Sequence, residues 1–175
     1  MSLKVPETVT FEQAIALTQS LLSQVEAGVE ESEIAAVISD LVKTESGARG
    51  FFVTYLTSES SLADNPSTAI VQALRSHPEV VAELLVKNLA MSAAQVVFHR
   101  RNHNEEMAQA SERVRQRTAH LIELVELAAV RDRIHKLLQT LAQGEGEYKA
   151  FLERWGYDTE QRQAMSQALQ QVISK

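Results

Sequence analysis

The stretch that decides the fold is Pro78 to Arg101, PEVVAELLVKNLAMSAAQVVFHRR. Proline suits the first position of a helix, and no further proline or glycine interrupts the run. On a helical wheel with Val81 at zero, Leu84, Leu85, Val86, Leu89, Val96, Val97 and Phe98 spread around most of the circumference. Glu83, Lys87 and Arg101 cluster between about 200° and 240° and read as the solvent face. A helix that is apolar on most sides is the central element of its domain. Glu83, Lys87, Asn88 and Gln95 break up the most apolar part, Val80 to Phe98, so it reads as a core helix and no membrane span is expected.

Composition extends the helical reading to the whole chain. Of 175 residues, 22 are alanine, 19 leucine, 19 glutamate and 14 glutamine, all good helix formers. Six glycines and three prolines make up about 5%, against a typical ~12%, which leaves few turns for a sheet. The expected fold is all-α, a single-domain bundle of about seven or eight helices over residues 1–175. The same scarcity of turn residues excludes Rossmann, P-loop and β-sandwich architectures.

Outward from the central helix, Thr10 with Gln13 forms a capping-box pattern for a helix from Phe11 to about Ala27, stopped by Gly28. Ser32 is the expected cap of a second helix, Glu33 to Glu45, stopped by Gly47, and the two form a hairpin over residues 10–46. Phe51 to Thr57 is rich in β-formers, but no other window offers a partner strand, so it reads as a short buried helix. Ser58 to Asn65 reads as a loop. Asp64 or Asn65 then opens a helix with Pro66 near its first position, ending near Ser76 because Pro78 follows. Residues 66–142 are read as a central bundle.

Residues 104–142 lack proline and glycine, yet their apolar stripe moves. Met107, Ala110, Val114, Leu121 and Val125 share one face; Leu127, Val130, Ile134, Leu137, Leu138 and Leu141 share another. Either one helix meets different neighbours at its two ends, or it bends between Val125 and Val130. C-terminal helices occupy 147–174, the last capped by Asp158. Tyr148, Phe151, Trp155 and Tyr157 could anchor a partner, but packing the terminal helix onto the bundle is the more economical role.

Three features could carry chemistry. Asn88, Ser92, Gln95 and His99 lie in one line on the central helix, either as a ligand pocket or as a polar contact with a neighbouring helix. His99, His103 and Glu106 have spacing that suits zinc, iron or manganese if the helix continues, with Asp132 and His135 as further ligands; Asn102 and Asn104 argue for a break instead. Arg113, Arg117 and His120 share a face that could hold an anion or an acidic partner. Interleaved Glu112 and Glu123 favour a solvated, salt-bridged face there.

The net charge is −6, but residues 99–136 carry eight Lys/Arg against six Asp/Glu, a local +2 that leaves −8 for the remainder. The acidic total and the lack of stacking aromatics beside the arginines argue against nucleic acid. There is no cysteine, no Gly-x-Ser-x-Gly elbow and no glycine-rich phosphate loop, so nothing points to catalysis or names a cofactor. The opening MSLKVPE lacks a signal-peptide pattern, and a cytoplasmic setting is expected. The resulting expectation is a protein-binding or regulatory module that forms a homodimer. The alternative is a bundle holding a metal or small ligand near residues 88–106.

Overall fold

A computed structural model describes residues 3–174, which form ten helices and no strand. Eight of them have eight residues or more; the two shortest are single-turn connectors. Internal contacts group into two units, Met1–Leu84 and Leu85–Lys175, with the boundary inside the central helix rather than in a linker.

In the first unit, α1 (Phe11–Glu26) starts at the expected capping box: Thr10 Oγ1 accepts from Gln13 N at 3.1 Å and Gln13 Oε1 from Thr10 N at 2.9 Å. It buries Ala14, Thr18 and Leu21. The expected second helix ends early, at Leu41, and the short buried helix after it starts before Gly47. α2 (Glu31–Leu41) begins at Glu30 without a side-chain cap, so Ser32 is already inside it. α3 (Glu45–Thr57) begins at Thr44, whose hydroxyl accepts from Gly47 N at 3.1 Å. Gly47 thus lies in a first turn instead of ending a helix. Thr44 is the better cap because it stands three residues before an amide that needs an acceptor.

The ambiguous β-rich segment is the buried part of α3: Phe51, Phe52, Tyr55 and Leu56 are all enclosed, and Phe51 stacks on Tyr55. α1 packs chiefly on α3, and α2 chiefly on α5 (Thr68–Arg75). α4 (Ser61–Asp64) occupies the expected loop. Ser67, not Asp64 or Asn65, caps α5, accepting from Ile70 N at 3.3 Å. Pro66 therefore precedes the cap. The Ser39 and Ser76 hydroxyls meet at 2.9 Å between the α2 side and the end of α5.

Helix α6 (Pro78–Arg101) has the expected bounds, with Val81, Ala82, Leu85, Val86, Leu89, Ala90, Ala93 and Ala94 buried. Among the described residues it is the one helix long and apolar enough to cross a membrane by length and composition, with a mean hydropathy of 1.5 over 18 residues. Fifty-six per cent of that window is nevertheless buried inside the protein, the pattern of a core helix.

The second unit continues with α7 (Glu105–Val125), α8 (Ala128–Gln143), α9 (Lys149–Arg154) and α10 (Thr159–Ile173). The moving stripe of 104–142 is explained by a break: Glu126 adopts a left-handed conformation (φ 47°, ψ 50°) and Leu127 an extended one. Each helix then buries its own face, Leu121, Ile122 and Val125 on α7, Val130, Ile134 and Leu137 on α8. α10 packs on α8 and to a lesser extent on α7, burying Met165 and Leu169. Gly144, left-handed at φ 74°, ends α8.

Candidate functional site

The polar line on α6 is half-buried rather than solvated, but it does not assemble into a pocket. Ser92 is 5% exposed, and its hydroxyl donates to the carbonyls of Asn88 at 2.7 Å and Leu89 at 3.1 Å. A buried serine satisfied by its own helix needs no ligand and no neighbour. Asn88, Gln95 and His99 are half-buried, and among the described residues no hydrogen bond joins their side chains to one another or to Ser92.

The face assigned to solvent does more. Lys87 lies over the Phe151 ring at 5.5 Å, the Ala94 carbonyl accepts from Gln161 Nε2 at 3.4 Å, and Arg101 binds Asp158 and Glu160. These three contacts run along the charged side of α6 and bring α9 and α10 onto it. Long basic side chains make this possible, since their aliphatic stems cover apolar surface while their charged ends find partners. Arg101 grips Asp158 through both terminal nitrogens, at 2.5 and 3.3 Å, and Glu160 at 3.1 Å. Asp158 is also the N-cap of α10, with Gln161 completing a capping box. Hydrogen bonds from Arg101 and the Gln161 amide hold its carboxyl below the usual carboxylate range.

The metal reading fails at the helix end. Asn104 N donates to the His99 carbonyl at 2.8 Å and His103 N to the Arg100 carbonyl at 3.1 Å, with His103 left-handed at φ 57°. This is a Schellman stop. Asn104 then caps α7, accepting from Met107 N at 3.2 Å. The shared face of His99, His103 and Glu106 therefore never forms. Among the described residues, no group of three His, Cys, Asp or Glu is placed to hold one metal ion, so Asp132 and His135 do not rescue the set.

The anion reading of Arg113, Arg117 and His120 is divided by burial. Arg113 and His120 are exposed, but Arg117 is 5% exposed and engaged within the protein, so the three do not offer a common surface. Between Arg113 and Arg117, on another side of the helix, Arg115 makes a bidentate pair with Glu112, Nε to Oε2 at 2.9 Å, which holds the Glu112 carboxyl below its usual range.

Two further surface features stand out, of which the sequence reading had singled out Trp155 alone. Phe98, Met107 and Trp155 are left about half exposed, with Arg154 over the Trp155 ring at 5.2 Å. Of the aromatic cluster expected to anchor the terminal helix, Tyr148 and Tyr157 are buried and Phe151 half-buried, while Trp155 faces out. The second feature is a groove of about 650 Å³ at the α7–α8 break, walled by Ile122, Leu127, Val130, Ile134, Val172 and Ile173. The stripe shift announced the break, but the cleft depends on where α10 ends, which no local pattern specifies.

Fold and surfaces together define an all-helical protein whose distinctive features are exposed apolar anchors and an interhelical groove. The chain belongs to a family described as an uncharacterised conserved protein, whose profile matches residues 10–172. No curated protein and no solved structure shows significant similarity to it.

Proposed function

We propose that this chain is a non-enzymatic helical module of the cytoplasm that works by binding protein, a second copy of itself among its partners. One observation carries the reading: Phe98, Met107 and Trp155 stay exposed around the end of α6, beside arginines. Phe98 lies one turn before Arg101, and Trp155 three residues before Asp158. The Arg101–Asp158 bond joins the end of α6, which carries Phe98, to the start of α10, just after Trp155. Aromatic, methionine and arginine side chains are the types enriched at the centres of protein interfaces. Arg154 lies over the Trp155 ring, and Arg100, two residues after Phe98, pairs with Glu105. A cysteine-free chain of net charge −6 suits a reducing compartment.

Capture by the immobilised full chain from a lysate of its native host tests the reading. Proteins retained by wild type should be lost with Phe98→Asp and with Trp155→Ala, and kept with Val53→Asp, a change at an exposed apolar residue of the first unit. Identical capture by all four proteins would remove the case for this surface.

A further inference from the structure

We infer that α6 carries the stripe through which two copies of the chain pair, helix beside helix, an inference that rests on the protein-binding reading and names its partner. From Asn88 to Phe98, all within the second unit, the open positions of this helix are Asn88, Met91, Gln95, Val97 and Phe98. All but Val97 lie within about 80° of one another on the helical wheel. Asn88, Met91 and Gln95 are half-buried and Phe98 is 46% exposed, while Leu89, Ala90, Ser92 and Val96 between them are buried. The spacing along the stripe is three, four and three residues. Alternation of threes and fours is the pattern by which one helix seats its side chains between those of another. A partner helix is therefore the shape that this stripe fits.

The chemistry of the stripe selects the occupant. Amides at Asn88 and Gln95 alternate with apolar side chains at Met91 and Phe98, and among the described residues neither side-chain amide has a hydrogen-bond partner. Lipid, or a purely apolar protein surface, would cover Met91 and Phe98 but strand the amides. A charged segment would leave the apolar pair without cover. The stripe itself supplies both kinds of match. Set parallel and in register on a second copy, Met91 meets Met91 and Phe98 meets Phe98. Each amide donates through its nitrogen and accepts through its oxygen, so it satisfies an identical amide across the two-fold axis. An amide in such a seam also fixes the register, because a slip sets it against an apolar side chain. The basic end of the helix does not oppose a parallel pair: Arg100 is matched by Glu105, and Arg101 by Asp158 and Glu160.

Sedimentation and light scattering of the full chain test the inference, with circular dichroism confirming that each variant is folded. Wild type should be dimeric at tens of micromolar. Asn88→Asp sets two carboxylates against each other and should weaken the dimer by about tenfold or more. Asn88→Leu should tighten it, since the amide fixes register at a cost in stability. The chain has no cysteine, so single cysteines report the pairing directly. Under mild oxidation Asn88→Cys and Gln95→Cys should each give a disulfide-linked dimer, whereas Val53→Cys, exposed in the first unit, should not. Two positions seven residues apart both link to themselves only in a parallel, in-register pair. A wild type that stays monomeric overturns the inference. If host proteins are still captured by it and lost with Trp155→Ala, the protein-binding reading stands without it. A dimer indifferent to Asn88→Asp, or linked through only one of the two stripe cysteines, overturns it too. Wild type that floats with phosphatidylcholine vesicles does the same, by giving the stripe to lipid.

Discussion

Glu126 shows how much one residue can decide. A side chain with a Cβ at φ 47° and ψ 50° carries a steric cost that glycine escapes, and glycine is the common choice where a helix ends this way. Glu126→Gly is expected to raise stability by about 0.5–1 kcal/mol, read from a denaturant midpoint. A fold that gains nothing would mean that Glu126 has local compensation beyond its backbone. Asp158 and Glu112 act through charge. Both carboxyls are depressed by arginine, so their contribution is complete above the ordinary carboxylate range and is lost as pH falls through the depressed values. Unfolding midpoints should therefore drop as pH falls below about 4, and more gently in an Asp158→Asn, Glu112→Gln double variant. Equal acid slopes in the two proteins would assign that sensitivity to other groups.

At the scale of elements, the contact between α1 and α3 is set by Gly50. A Cβ there would fall 2.4 Å from the Ala14 Cβ and 2.7 Å from the Phe11 carbonyl oxygen. Two helices can approach this closely only where one of them presents no side chain, so Gly50→Ala must push them apart or distort α1. The better intrinsic helix propensity of alanine, worth ~1 kcal/mol, is outweighed by this clash, and a net loss of about 1–3 kcal/mol is expected in thermal or chemical unfolding. A neutral effect would show that α1 shifts freely. What could be read from the residues divides along the same line. The capping box at Thr10, the cap at Asp158 and the bounds of α6 are local and were legible, because a cap bonds within three residues and a stripe repeats every turn. The Ser32 and Gly47 assignments failed because serine and glycine suit caps and stops equally in many windows, and packing chose Thr44. Of the candidate site, the polar line is half-buried with Ser92 bonded to its own helix, and the metal set dissolved once Asn102 to Asn104 formed a stop. The docking of α9 and α10 on Lys87 and Arg101 was not legible, since it joins residues more than fifty positions apart.

For the molecule as a whole, the open question posed by composition is whether α6 serves a bilayer or a core. Both need an apolar helix of this length, with 24 residues more than spanning a hydrocarbon layer. They differ in what the helix touches. A lipid-facing helix would be apolar on its outside, whereas α6 is most apolar where protein covers it: Leu85, Val86 and Leu89 have no exposure at all, and the lysine, arginine and glutamate positions lie elsewhere. A core helix therefore makes the fold hostage to its buried positions. Leu89→Asp places a carboxylate where no partner waits, which costs several kcal/mol and is comparable to the whole stability of a domain this size. The expected result is loss of the cooperative thermal transition, with the wild type staying in the aqueous layer in vesicle flotation. Wild-type chains that float with phosphatidylcholine vesicles, together with a Leu89→Asp variant that keeps its cooperative melt, would place α6 in lipid instead of in a protein core.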